Sequence, residues 1–193
     1  MPSAASQVFE RLMDQVTELR DAAGREVILG YPTAAAPLYR SCIVLTTAAL
    51  DSYLHERGAT LLSVHAHAGN PQATAVGAYV SLGVPDVTGP NALALIRYRL
   101  SYATLAAPTK IDELFSALGH TAADVWLQVA LAMGTRPDRL RTQLQLQYDR
   151  RNQIAHEGDW DFIALDFRPI DDAHVADCVA CTASFVSALD PLL

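Results

Sequence analysis

The sequence predicts an all-α fold, and three observations carry that reading. Apolar residues recur at spacings of three and four over most of the chain. Gly and Pro punctuate the gaps between those segments, and the two-residue alternation of half-buried strands is almost absent. Size suits one domain spanning residues 1–193: 51% of the chain is hydrophobic and 18% charged, enough apolar surface to offset the entropy of ordering a single core.

In chain order, SQVFERLMDQVTELRDA sets Val8, Leu12, Val16 and Leu19 on one helical stripe, with Ser3 or Ser6 as cap and Gly24 as stop. Residues 38–69 are apolar nearly all round in their first half, which predicts the central buried helix. In NPQATAVGAYVSLG, Asn70 before Pro71 opens a helix and Gly83 closes it. GPNALALIRYRLSYATL and KIDELFSALG predict a medium and a short helix. TAADVWLQVALAMG predicts a mostly buried helix that starts on a variant capping box of Thr121 and Asp124 and stops at Gly134. Over residues 136–156, Leu140, Leu144 and Tyr148 lie at i, i+4 and i+8, so one face packs while arginines and glutamines cover the rest. WDFIALDF predicts a hairpin-like excursion or an irregular loop. The last helix, residues 171–190, has acidic residues at its start, where they favour the helix dipole, and Pro191 beyond its end.

Composition excludes several classes. No window holds the roughly 18 uninterrupted apolar residues of a membrane span, and the first residues lack a basic start with an apolar core, so a soluble cytoplasmic protein with no membrane partner is expected. Cys42, Cys178 and Cys181 are odd in number, which suits a reducing compartment. A net charge of −7 argues against non-specific coating of nucleic acid. Five of the 14 basic residues, Arg136, Arg139, Arg141, Arg150 and Arg151, nevertheless fall within residues 136–151, a local footprint for a small anionic target.

Most chemistry-bearing residues read blandly. His55, His65, His67, His120 and His174 are scattered, and His65 and His67 point to different sides of a helix. Cys178 and Cys181 lack a second ligand pair for zinc and read as small core residues. No phosphate-binding glycine loop, HExxH or GxSxG motif is present, so neither a cofactor nor a metal is expected.

One stretch, RRNQIAHEGDWD at residues 150–161, stands apart. Arginine, here Arg151, offers a permanently charged fork for phosphate oxygens, and histidine, here His156, is the residue type that moves protons near neutral pH. In RNA the 2′-hydroxyl already sits beside the phosphorus, so a protein need only deprotonate it, steady the charged phosphate and assist the leaving group. Five residues at about 100° each put the two side chains about 140° apart on an ideal helix. Either the helix ends near Ala155, helped by Gly158, or the groups converge with copies from a second subunit. An ordinary helix end, with Arg151 snorkelling and His156 meeting terminal carbonyls, fits the same spacing.

RRNQIAHEGD resembles the Arg, polar residue, three variable residues, His signature of the HEPN superfamily, with Arg151, Asn152 and His156 in its three defining places. YRSCIVLTTAALDSYLHERG is similar to the early core helix of the RiboL-PSP-HEPN branch. VWLQVALAMGTRPDRLRTQLQLQYDRRNQIAHEGDWD and RPIDDAHVADCVACTASFVSALD are similar to its closing helices. The resemblance implies a HEPN-like helical bundle, frequently dimeric, with metal-independent endoribonuclease activity in many members and a scaffold role in others. It implies RNA as substrate and, for members of toxin pairs, an antitoxin protein as partner. His156 would then act as general base or acid at the 2′-hydroxyl, Arg151 would bind the scissile phosphate and Asn152 would orient the pair. Arg150, Glu157 and Asp159 would contact substrate or tune His156. The alternative is a non-catalytic HEPN-like module for dimerisation or nucleotide binding. Residues 60–110 match no part of the minimal bundle and stand as additional helices.

Overall fold

The computed structural model describes residues 3–193 and is predominantly helical, an all-α fold with one small hairpin. Its first helix, α1 (Ala4–Ile28), starts at Ser3, whose side chain accepts from the Ser6 N–H. It does not stop at Gly24: a helix interior tolerates glycine at a modest entropic cost, and the backbone bonding continues to Leu29. The expected stripe holds at Val16, with Leu12 and Leu19 partly buried against the core, and departs at one position. Val8 faces outward while Ala5, Phe9, Val16 and Ala23 are buried.

The central element is α2 (Pro32–Ala66), which begins earlier than expected because Pro32 sits in its first turn, where a missing N–H costs nothing. It buries fourteen residues, including Ala49, Leu50, Tyr53, Leu54, Ala59 and Leu62. Around it pack α1, α3 (Asn70–Val80), α5 (Ala92–Leu100), α8 (Pro137–Glu157) and α9 (Asp172–Leu189).

Residues 60–110 fold into more pieces than the sequence suggests. Gly69, not Asn70, caps α3, and the helix ends at Ser81 in the left-handed region (φ 56°). Gly83 then starts a further short helix, α4 (Val84–Thr88), its N–H donating to Asp86 Oδ2 at 3.2 Å. Close quarters explain Gly77: a Cβ there would meet the Leu82 carbonyl oxygen at 2.7 Å. α5 is shorter than expected, and residues 101–107 lead as a turn into α6 (Pro108–Ala117).

α7 (Ala122–Ala132) follows Thr121, whose side chain makes no capping hydrogen bond, so the expected box does not form. The helix is buried on one face only: Val125, Trp126, Val129 and Ala130 are inside, while Leu127 and Leu131 are exposed. Trp126 stacks on Phe185 (5.5 Å) and meets Phe115 edge-on. Its Nε1 donates to Asp112 Oδ1 at 2.6 Å, and Arg141 closes the same carboxylate with bonds of 2.6 and 2.7 Å. A buried indole N–H thus finds an acceptor that is itself neutralised.

α8 carries Leu140 and Leu144 into the main core, with Tyr148 against it, as the i, i+4, i+8 spacing indicates. A second apolar cluster (Val16, Ala23, Ala35, Tyr39, Cys42, Ile43, Val175, Cys178) receives Ile154 near the end of α8 and Ile170 beyond the hairpin. Those two anchors fix the direction in which the RRNQIAH segment leaves the bundle. The hairpin pairs β1 (Trp160–Asp161) with β2 (Asp166–Phe167) antiparallel, Trp160 opposite Phe167.

α9 with the short turn after it is long and apolar enough to cross a membrane by composition. Val175, Cys178, Phe185, Val186 and Leu189 are buried against the other helices. Among the described residues the three cysteines are free and buried. Burial pushes the Cys178 thiol up to about 12 and the Cys42 thiol up to about 11. Neither supplies thiolate at neutral pH, which fits packing rather than chemistry.

Candidate functional site

α8 does not end near Ala155. It continues to Glu157 and closes on Gly158 in the left-handed region (φ 63°), where the Asp159 N–H donates to the Gln153 carbonyl oxygen at 3.1 Å. A glycine stop of this kind is a common helix ending. Arg151, Asn152 and His156 therefore share one regular helix, and the 140° separation of Arg151 and His156 stands.

The two adjacent arginines have opposite fates. Arg150 turns inward to Asp159, donating from Nη2 to Oδ2 at 2.9 Å and to the Pro169 carbonyl oxygen at 3.1 Å. Asp159 has no exposed surface, and Arg40 of α2 reaches the same Oδ2 through Nε at 2.6 Å. Arg150 Nη1 also lies 2.6 Å from Oδ1 but off the line of a hydrogen bond, leaving that oxygen without one. Arg40 Nη2 donates to the Arg168 carbonyl oxygen at 3.0 Å, and its guanidinium sits 5.0 Å from the centre of the Phe167 ring. Burial lowers the pKa of Arg150, with Asp159 opposing the shift. Asp159 and Arg150, expected as substrate contacts, instead tie the helix end, the hairpin and α2 together. The buried Asp159 side chain offers nothing to a substrate. Glu157 is half-exposed, 3.3 Å from Arg168.

Arg151 turns the other way. Among the described residues it has no carboxylate partner; its one side-chain bond runs from Nη1 to the Asn152 amide oxygen at 3.0 Å. It lines a cleft of about 210 Å³ with Thr47, Ala48, Asp51, Ser52 and His55 of α2 and Thr104 of the 101–107 turn. Asn152 thus orients Arg151, while His156 is exposed, makes no side-chain hydrogen bond among the described residues, and does not line that cleft.

The imidazole that does share the cleft is His55. Its Nε2 lies 2.9 Å from the Ala103 carbonyl oxygen and its Nδ1 3.9 Å from Asp51 Oδ2. Asp51 Oδ1 accepts from Leu105 N (2.5 Å), Ala106 N (2.9 Å) and Thr104 Oγ1 (3.2 Å), pinning the turn to α2. The signal for this constellation in the sequence is slight: Asp51 and His55 stand one helical turn apart in the most buried helix.

A wider depression of about 660 Å³ lies between the chain ends, lined in part by Ser3, Arg57 and Asp190. Asp190 accepts there from Ser3 N (3.1 Å), Ser3 Oγ (2.6 Å) and Tyr53 Oη (3.1 Å), while Arg57 Nε, 3.7 Å from Asp190 Oδ1, is buried without a hydrogen bond. Among the described residues no group of three or more His, Cys, Asp or Glu side chains is arranged to hold a metal ion. Comparison of the chain with protein-family models, curated proteins and solved structures returns no match in any of the three.

Proposed function

We propose that this chain is a HEPN-like, metal-independent endoribonuclease that works as a homodimer in the cytoplasm, as a toxin or defence effector held in check by an antitoxin protein. The observation that carries the reading is the contrast within the arginine pair. Arg150 is spent on Asp159, whereas Arg151 is half-buried in a cleft, bonded only to a neutral amide. A guanidinium with most of its N–H donors vacant, in a cleft whose one carboxylate, Asp51, is already held by Thr104, Leu105 and Ala106, is what a phosphate oxygen needs.

In the proposed reaction Arg151 binds the scissile phosphate and Asn152 holds the fork in place. His156 takes the 2′-hydroxyl proton, or returns one to the 5′-oxygen. The 2′-oxygen attacks phosphorus and the P–O5′ bond breaks, giving a 2′,3′-cyclic phosphate and a 5′-hydroxyl. Because Arg151 and His156 lie on different sides of α8, the His156 that serves a given Arg151 comes from the second subunit. Two-fold symmetry supplies it with no further element. The hairpin that follows the motif supports an interface there: Phe162, Ile163 and Leu165 are 71%, 97% and 71% exposed, an apolar tip that follows His156 closely in the chain.

A non-catalytic dimerisation or nucleotide-binding module is the second reading, favoured by the distance of His156 from the cleft and by the net charge of −7. Incubating the protein with a mixed RNA pool in EDTA separates the two. Cleavage by the native protein, lost in Arg151→Ala and His156→Ala, is the expected result. No cleavage, or cleavage that the variants retain, contradicts the ribonuclease reading.

A further inference from the structure

Residues 60–110 end in the turn at 101–107, and Thr104 of that turn lines the Arg151 cleft. Just before Thr104 in the chain stand two exposed tyrosines, Tyr98 (58% exposed) and Tyr102 (72% exposed). Their rings meet edge-on at 5.2 Å, and Tyr102 Oη donates to Tyr98 Oη at 2.6 Å. A pair of large aromatic side chains standing in solvent pays in hydration for surface that neither the core nor a neighbouring element uses. The hydrogen bond and ring contact hold the pair in one arrangement.

Tyr102 is bonded in sequence to Ala103, whose carbonyl oxygen receives His55 Nε2, and Thr104 bonds Asp51 on the cleft floor. Arg97 pairs with Glu56, the residue after His55, at 2.7 Å, so the end of α5 is tied to α2 beside the cleft. Arg99, between the tyrosines in sequence, is exposed and has no carboxylate partner among the described residues. Both nitrogens of His55 face acceptors, the Ala103 carbonyl oxygen and, at 3.9 Å, the Asp51 carboxylate. The Ser52 hydroxyl in the same cleft makes no hydrogen bond among the described residues.

We propose that Tyr98, Tyr102 and the 101–104 turn form a track for single-stranded RNA that leads into the Arg151 cleft. Flanking bases stack on the tyrosines, and a backbone phosphate sits against Arg151 and Ser52, with the Asp51 carboxylate of the same cleft engaged by Thr104, Leu105 and Ala106. Aromatic faces joined to a cationic groove bind single strands with little regard to sequence, since every base offers a π-face. Arg99 adds charge along the path. The choice of RNA as ligand rests on the ribonuclease reading of the same cleft.

The test reads binding apart from cleavage, by fluorescence anisotropy of the full chain with a short fluorescein-labelled 2′-O-methyl oligonucleotide, which lacks the attacking hydroxyl. The native protein should bind the single strand and discriminate against the same sequence as a duplex. Tyr98→Ala and Tyr102→Ala should each weaken binding at least about fivefold, the lower end of what base–aromatic stacking contributes. Tyr98→Phe with Tyr102→Phe should stay within about twofold of native, because the faces remain, and Leu131→Ala, an exposed residue on α7, should match native. Equal binding of single strand and duplex, unchanged binding in the alanine variants, or no binding by the native protein overturns the proposal. Cleavage of an RNA pool with an unchanged KM in the double alanine variant would sink the track and leave the ribonuclease standing. Tyrosine-dependent binding by a protein that never cleaves would do the reverse.

Discussion

Asp159→Asn isolates the charge that organises the end of α8. Asparagine has the same size and tolerates the positive φ of 63° found at this position, so the backbone should not object. What changes is that Arg40 and Arg150, whose side chains are only 13% and 23% exposed, lose their shared carboxylate. Removing one partner of a buried ion pair costs about 3–5 kcal/mol, because the remaining charge stays desolvated. The residual exposure of both arginines, and the carbonyl oxygens of Pro169 and Arg168 that they also reach, place this case near the lower end, about 3 kcal/mol. For a chain of this length that corresponds to a fall in Tm of about 6–12 °C. Urea unfolding followed by far-ultraviolet circular dichroism should show a lower midpoint at constant slope. Combining Asp159→Asn with Arg150→Gln should cost less than the sum of the two, since both remove one interaction. A loss below about 1 kcal/mol, or strict additivity, would refute the view that this buried cluster holds the motif in place.

Acid should weaken the fold in a defined window. Burial pushes the Asp112 carboxyl up, but hydrogen bonds from Arg141 and Trp126 outweigh it and hold it below its ordinary value; the Arg20 hydrogen bonds do the same for Asp172. Groups depressed in the folded state contribute fully above their unfolded pKa, roughly 4, and that contribution disappears as pH falls through the folded value. Urea midpoints should therefore be flat from neutrality to about pH 5 and drop below pH 4, and Asp112→Asn should flatten part of the drop; an unchanged acid limb in that variant would contradict the assignment. If the chain forms the proposed dimer through the hairpin, Phe162→Ser with Ile163→Ser should leave the helical spectrum intact and give a monomer in sedimentation at micromolar concentration, where the native protein sediments as a dimer. A dimer that survives both changes has its interface elsewhere.

Periodicity made the helices legible because packing here obeys it: Leu140, Leu144 and Tyr148 lie where the i, i+4 rule puts them. Stops were harder to read. Gly24 is an interior glycine and Gly158 a true terminus, and the difference lies in tertiary contacts: Ala23 is packed into the second apolar cluster, so α1 gains by continuing, whereas beyond Gly158 the chain must turn to bury Asp159. The same limit governed the site. Two neighbouring arginines look alike in sequence, and only the positions of Asp159 and Arg40, far apart in the chain, separate the structural Arg150 from the vacant Arg151. His55 reads as one scattered histidine in the sequence because Ala103, whose carbonyl oxygen it meets, and Arg151, which lines the same cleft, come from segments whose approach no local pattern encodes. Arg151, Asn152 and His156 were found as a motif, and the structure brings only the first two together.

Subunit mixing tests the composite site most directly. On one straight helix Arg151 and His156 point about 140° apart, and the proposed site therefore draws its pair from two chains. Arg151→Ala and His156→Ala proteins are each expected to be inactive as homodimers. When they are mixed and allowed to exchange, a heterodimer retains one site with an intact Arg151 from one chain and an intact His156 from the other. Metal-free RNA cleavage should then recover to a substantial fraction of the native rate as heterodimers form. A mixture that exchanges subunits, verified by differential labelling, yet stays as inactive as its components would contradict the shared site.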